Sequence, residues 1–251
     1  MKYWIWLTGI PYVGCITANQ LLAYFGSPQA VYLANAVELE AVKGLNDRQR
    51  RSILAARSLE TSERILDRCE KKRISVLTKA DVRYPGRASC LRDAPAVLYY
   101  RGRIRKIQHA VGIVGARRCS QAAKVFCYEL AEKYLEKDWT IVSGMAKGID
   151  ACAHTICLQK QGYTVAILGN GLDICYPSEH HRLMERICEN GLLLSEYPPG
   201  TEPSAYTFPR RNRLIAAWSA ELQVIAAGKG SGALITADFA RRYGRNVQLH
   251  L

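Results

Sequence analysis

From residue 110 onward the chain alternates short apolar runs with amphipathic ones, and this alternation constrains its fold more than any other feature. The runs Val111–Val114, Thr140–Ser143, Thr164–Leu168, Leu192–Ser195, Leu222–Ala226 and Asn246–Leu249 predict strands. Between them, Gln121–Glu136, Asp150–Gln161, Glu179–Glu189, Arg211–Trp218 and Leu234–Tyr243 carry helical apolar spacing. Strands that are apolar throughout are covered on both faces. The expected fold class is therefore α/β, a Rossmann-like, doubly wound and mainly parallel sheet between two helical layers. Its crossovers are right-handed, and its ligand site lies beyond the carboxyl ends of the strands, where the winding direction reverses.

The first 70 residues read differently. Gln20–Phe25, Gln29–Leu33 and Arg48–Leu66 predict helices, broken at Gly26-Ser27-Pro28 and Gly44-Leu45-Asn46. Ile10–Gly14 and Val42–Leu45 resemble the hairpins of helix-hairpin-helix units, whose backbone amides suit phosphates, and Arg48, Arg50 and Arg51 flank the second. A plain helical bundle with a solvated basic face accounts for the same pattern. Two domains follow: a small helical one over 1–70, and a sheet domain over 71–251. The latter includes a connector, 71–109, with a turn-rich Asp81–Gly86 and a strand at Ala96–Tyr100.

Thirty-five Lys and Arg against 22 Asp and Glu give a formal charge of +13, which favours a polyanionic partner. The nine cysteines are odd in number and contain no Cys-x-x-Cys, which reads as reduced thiols in a cytoplasmic protein. Cys152, His154 and Cys157 do not share one helix face, so no metal site is expected. The apolar start is interrupted by Pro11, and no run approaches the ~18 apolar residues of a membrane span.

The loops after the predicted strands carry the chemistry. The first is Gly115-Ala-Arg-Arg-Cys-Ser120, in which Gly115 permits a tight turn, Ser120 can cap the next helix and Arg117 adds charge at that helix start. The second, Ser143-Gly144-Met-Ala-Lys147-Gly148-Ile-Asp150, offers two glycines, a lysine and a capping aspartate. The third is Gly169-Asn-Gly171, and the last is Gly228-Lys229-Gly-Ser231-Gly232 with Thr236 one turn on. Glycine-bearing turns and helix N-termini gathered at one sheet edge predict a groove for phosphates. Tyr206-Thr-Phe208-Pro-Arg-Arg211-Asn212-Arg213 adds an aromatic that can stack a base and arginines that can hold phosphates, the combination used for single strands. The same Arg211, Asn212 and Arg213 would equally serve as a network fixing the loops to the sheet.

No dinucleotide fingerprint fits, because Ile174 stands where the third glycine of G-x-G-x-x-G would fall. The spacing around Lys229 also fails the Walker pattern. No nucleophile–base pair or paired carboxylates stand at the strand ends, so neither catalysis nor a cofactor is expected, and His180 and His181 read as supporting groups.

VGARRCS, SGMAKGIDACAH, LGNGLDICYPSEH, ENGLLLSEYPPGT, FPRRNRLIAAWS and SGALITADFA occur in an order that resembles the DNA-processing protein A family (DprA/Smf). The connector and, more loosely, the helical start are similar to the family's preceding segments. The resemblance implies an extended Rossmann fold that binds single-stranded DNA, forms homodimers and hands the strand to the RecA recombinase during natural transformation. It places Arg117 and Lys147 on the DNA backbone and Phe208 and Arg211 in the FP-x-RNR motif. The chain ends at Val247-Gln-Leu-His-Leu251 where the family has a V-P-G turn, so the C-terminal winged-helix-like domain is expected to be absent. Leu234, Ile235, Phe239 and Tyr243 exceed what one helix face needs, Leu249 and Leu251 continue the theme at an edge strand, and together they suggest a self-association surface. Two alternatives remain open: a phosphoribohydrolase of the lysine-decarboxylase-like group, although Ala237 and Asp238 stand where its glutamate would be needed, and a small-nucleotide sensor.

Overall fold

The computed structural model describes residues 1–228 and 230–250. Lys229 of the last glycine loop and Leu251 of the apolar terminus, both named above, lie outside the described residues. Six helices come first: α1 (Lys2–Gly9), α2 (Cys15–Phe25), α3 (Pro28–Leu33), α4 (Ala36–Glu40), α5 (Asp47–Ala55) and α6 (Glu60–Lys71). Their starts are set by local chemistry. Ser27 accepts the Ala30 amide, and Asn35 and Asn46 form capping boxes with Glu38 and Gln49. Leu7, Leu21, Leu39 and Ile53 are fully buried in a cluster of their own.

The predicted helix Arg48–Leu66 is corrected to two, α5 and α6. Ala56 leaves helical geometry, and the chain there is held from outside, with Trp6 Nε1 donating to the Ala56 carbonyl and Arg57 to that of Ala34. The two hairpin-like segments are the turns joining α1 to α2 and α4 to α5. In the first, Tyr12 adopts φ 66° and lies under the Arg48 guanidinium, 3.6 Å from its ring centroid.

Eight strands form one sheet: β1 (Ser75–Thr78), β2 (Val97–Gly102), β3 (Ala110–Gly115), β4 (Thr140–Ser143), β5 (Thr164–Leu168), β6 (Leu192–Ser195), β7 (Glu221–Ile225) and β8 (Asn246–His250). Their order is β1-β2-β6-β5-β4-β3-β7-β8, parallel from β6 to β8, with β1 and β2 antiparallel at one edge. The helices between them are α7 (Gly86–Ser89), α8 (Gln121–Leu135), α9 (Ile149–Gln159), α10 (His181–Asn190), α11 (Thr207–Trp218) and α12 (Gly232–Arg242). Alternate strand residues bury on opposite faces. Val111 and Ile113 meet α8 and α9, whereas Ala110 and Val114 meet α11 and α12. The expected doubly wound α/β fold is thus the observed one. Helix α6 and Trp4 pack beside α10 on the first face, so the N-terminal helices are anchored to the sheet. Arg68 of α6 also reaches the carboxylate of Asp173 at 2.6 Å.

The strand order places the reversal of winding between β3 and β7. From β3 the chain turns into α8 on one face, and from β7 into α12 on the other. The backbones of the two turns are left apart at the carboxyl end of the sheet.

Candidate nucleic-acid interface

That divergence opens a cleft of about 800 Å³, floored by Val114 and Gly115 and walled by the starts of α11 and α12. Three glycines let the walls come together. A Cβ on Gly115 would lie 2.2 Å from the Ile225 carbonyl, and one on Gly148, at φ +77°, would lie 2.2 Å from the Ala116 carbonyl. A Cβ on Gly169 would meet the Phe208 ring at 2.8 Å. Close approach of backbone to backbone at Gly115 and Gly148, and of an aromatic ring at Gly169, rather than turn geometry alone, is why these positions carry no side chain.

Arg117 and Arg118 stand exposed at the mouth, and neither has a hydrogen-bonding or ionic partner among the described residues. Ser120 caps α8 as expected, accepting the Ala123 amide at 3.1 Å, and the next helix therefore presents its positive end beside these arginines. Ser231 begins α12, and its hydroxyl, which lies in the cleft wall, is buried without a partner among the described residues. Across from the arginines, Phe208 stacks on Tyr176 with centroids 5.3 Å apart and ring planes at 29°. Tyr176 remains 45% exposed, so the stacked pair is reachable from solvent. A smaller pocket of about 60 Å³, lined by Gly144, Lys147 and Gly169, adjoins the cleft through Arg117, Phe208 and Arg211. Lys147 is paired with Glu179 at 2.7 Å, but both are half exposed, and such surface pairs are worth ~0–1 kcal/mol and open readily to a phosphate.

Beneath the cleft lies a buried polar layer. Arg211 donates through Nη1 to the Gly144 carbonyl at 2.6 Å and the Ile167 carbonyl at 2.5 Å, and through Nε to Asn212 Oδ1 at 3.0 Å. Asn212 in turn donates to the Gly232 carbonyl, joining α11 to the start of α12. Asp150 accepts the amides of Gly144 and Ala146 and lies across Gly144 from Arg211. Burial pushes the Asp150 carboxyl above its ordinary range against the pull of Arg211. Burial likewise lowers Arg211 to about 10, which leaves it charged at neutral pH. His154, wholly buried on Thr164, is pushed down to about 3 and is a neutral imidazole.

Of the residues expected at the site, Gly115, Arg117, Phe208, Arg211, Asn212, Ser231, Gly232 and Thr236 line the cleft. Gly144, Lys147 and Gly169 line the adjoining pocket. Five fall elsewhere. Ser120 serves as the cap of α8. Ser143 is fully buried and donates to the Ile113 carbonyl at 2.6 Å. Gly148 begins α9 against the first loop, and Gly171 is packed under Pro198 and Gly200. Arg213 points to the far side of α11, where it binds Glu196 at 2.5 Å and the Asp93 carbonyl at 2.8 Å. Asp150 is not the cap of α9. Gly148 takes that position, and the carboxylate reaches back to the loop. Cys152, His154 and Cys157 do not converge. Among the lining residues not expected at the site are Arg118 and Tyr176. The first was legible as the second arginine of its pair, whereas Tyr176 comes from a loop that only the fold brings to Phe208.

A switch-point cleft with exposed arginines, helix N-termini and a stacked aromatic pair is the arrangement in which Rossmann-like folds hold phosphate-bearing ligands. Residues 75–250 match the family model for DNA recombination-mediator protein A, and the chain belongs to that family. It is 36% identical over 250 residues to protein Smf of Synechocystis, covering 98% of this chain and 63% of that one. The X-ray structure of DNA processing protein A from Streptococcus pneumoniae superposes with a TM-score of 0.85 at 30% identity, over 99% of this chain and 86% of that one. A Helicobacter pylori DNA processing protein A structure, described for its single-stranded DNA binding mode, gives a TM-score of 0.64 at 31% identity over 70% of this chain and 80% of that one. The chain spans between 40% and 63% of the length of the curated relatives it matches. Among the described residues, no helix is long and apolar enough to cross a membrane.

Proposed function

We propose that the cleft binds single-stranded DNA without a covalent step. Phosphates sit on Arg117, Arg118 and Lys147 and at the start of α8, and a base rests on the Tyr176–Phe208 stack. The observation that carries the reading is the juxtaposition, in one cleft, of two exposed unpartnered arginines with a half-open aromatic pair. The single-stranded DNA binding mode described for the Helicobacter pylori protein supports the same ligand. A binding role is favoured over turnover because Asp150, the one carboxylate lining the cleft among the described residues, is committed to backbone amides. Delivery of the strand to a RecA recombinase and action as a homodimer belong to the same proposal, carried by the family's description as a recombination mediator. Leu234, Phe239 and Tyr243 pack against the core, so self-association would draw on the exposed Ile235 and Leu249.

The test is fluorescence anisotropy with single- and double-stranded oligonucleotides across a salt series. Tighter binding of the single strand is expected, with Arg117→Ala flattening the log–log salt slope by about 0.7, one phosphate contact. Equal affinity for duplex, or an unchanged slope, overturns the reading. Turnover of a nucleoside monophosphate would overturn the non-enzymatic part.

A further inference from the structure

We propose that the groove between α8 and α9 is a second single-strand subsite, through which the strand continues after it leaves the cleft. This rests on the reading of the cleft given above. The groove, about 830 Å³, lies on the opposite face of the sheet from α11 and α12, yet it begins at the same two residues: Arg117 and Arg118 line both concavities. A chain of phosphates bound at the mouth of the cleft therefore has a direct path into it.

The lining matches that ligand. Lys124, one turn into α8, joins Arg117 and Arg118, and no carboxylate lines the groove among the described residues. The Gln121 and Ala122 amides at the start of α8 have no partner among the described residues, since Ser120 takes only that of Ala123. Further along, Tyr128 and Ile156 offer an aromatic ring and an apolar floor, and Val125 on the rim is 48% exposed. Lys160 lies 5.5 Å from the Tyr128 ring centroid but is already paired with Glu132, so the far end is neutral. Cations near the cleft and an aromatic beyond them suit a backbone followed by its bases. From Gln121 to Tyr128 the helix rises ~10 Å, room for about three stacked nucleotides at ~3.4 Å each. The groove thus lengthens the footprint of one protomer without any movement of the fold.

The test compares a deoxythymidine oligomer of about 5 nucleotides with one of about 20, bracketing ordinary single-strand site sizes. Lys124→Glu, on an exposed position, and Tyr128→Ala are measured against the parent chain. Both are expected to weaken the long oligomer, Tyr128→Ala about 5- to 150-fold, the range for loss of a stacked base, and Lys124→Glu with its log–log salt slope flattened by about 0.7, one phosphate contact, and both to leave the short one unchanged. Arg117→Ala should weaken both. If Lys124→Glu binds the long oligomer like the parent while Arg117→Ala still fails, the groove is refuted and the cleft stands. If a poly-glutamate peptide, rather than the long oligomer, loses affinity in Lys124→Glu, the groove takes an acidic protein segment and the proposal is overturned. If the parent binds neither oligomer, both readings fall together.

Discussion

Replacing Arg211 by methionine tests whether this arginine holds the cleft together or reaches into it. The side chain is 5% exposed, and its Nη1 and Nε are committed to the Gly144 and Ile167 carbonyls and to Asn212. Methionine keeps the stem and removes all three bonds. It also leaves Asp150, wholly buried across Gly144, without a nearby cation. Removing one member of such a buried charged set costs about 3–5 kcal/mol, a large part of the ~5–15 kcal/mol that keeps an ordinary domain folded. The cost should depend on pH. Asp150 binds its proton more tightly in the folded chain than in the unfolded one. The folded state therefore holds more protons between the two pKa values, and stability falls as pH rises through that window. Without Arg211 a lowering influence is lost, so the folded pKa climbs and the window widens upward. Urea denaturation should show the gap between parent and variant largest near neutral pH. It should narrow on acidification by about 1.4 kcal/mol for each unit by which the variant's Asp150 pKa exceeds the parent's. Asp150→Asn added to the variant should recover much of the loss, because the uncompensated charge is gone. A gap that is small, or the same at every pH, would refute the account and return Arg211 to the ligand.

Gly148→Ala places a Cβ 2.2 Å from the Ala116 carbonyl and 2.7 Å from that of Arg117 at a backbone φ of +77°; it should destabilise by more than ~1 kcal/mol, lowering Tm by several degrees, and weaken single-strand binding by displacing Arg117, whereas an unchanged Tm and affinity would contradict the packing argument. Glu196→Gln removes the charge facing Arg213, whose side chain is 9% exposed, at a cost of about 3–5 kcal/mol. Because this pair lies on the far side of α11, strand affinity measured well below Tm should be unaffected, and a loss of affinity without a loss of stability would place Arg213 in the binding surface.

The parallel sheet was readable because β3 to β6 are buried on both faces and appear in the sequence as uninterrupted apolar runs. Strand β1 was not readable. Its four residues follow a run of Lys and Arg, and only pairing with β2, Ser75 opposite Tyr100 through Thr78 opposite Val97, makes them a strand. The split between α5 and α6 was hidden for a similar reason, since the residues that hold the break, Trp6 and Ala34, come from elsewhere in the chain. Helix α11 starts four residues earlier than expected. The Ser204 hydroxyl accepts the Thr207 amide, which brings Phe208 into the first turn and fixes its ring over Gly169.

The run Arg210-Arg211-Asn212-Arg213 shows where sequence pattern and site chemistry part company. Consecutive residues on a helix point ~100° apart, so four in a row cannot all address one cleft. Arg210 packs over Tyr206, Arg211 and Asn212 face the cleft but bind inward, and Arg213 turns to Glu196. This basic motif at the start of α11 is therefore chiefly scaffolding, since in these contacts its donors meet protein acceptors. Among the described residues lining the cleft, the cations whose backbone is held while their side chains are uncommitted are Arg117 and Arg118. Their loop is fixed from both sides, the Ala116 amide on the Ile225 carbonyl and the Ile149 amide on the Ala116 carbonyl. On the proposed reading, a phosphate arriving there would meet charges carried on a fixed loop and still hydrated, with no internal ion pair to break, while Arg211 and Asn212 tie the cleft walls together from beneath.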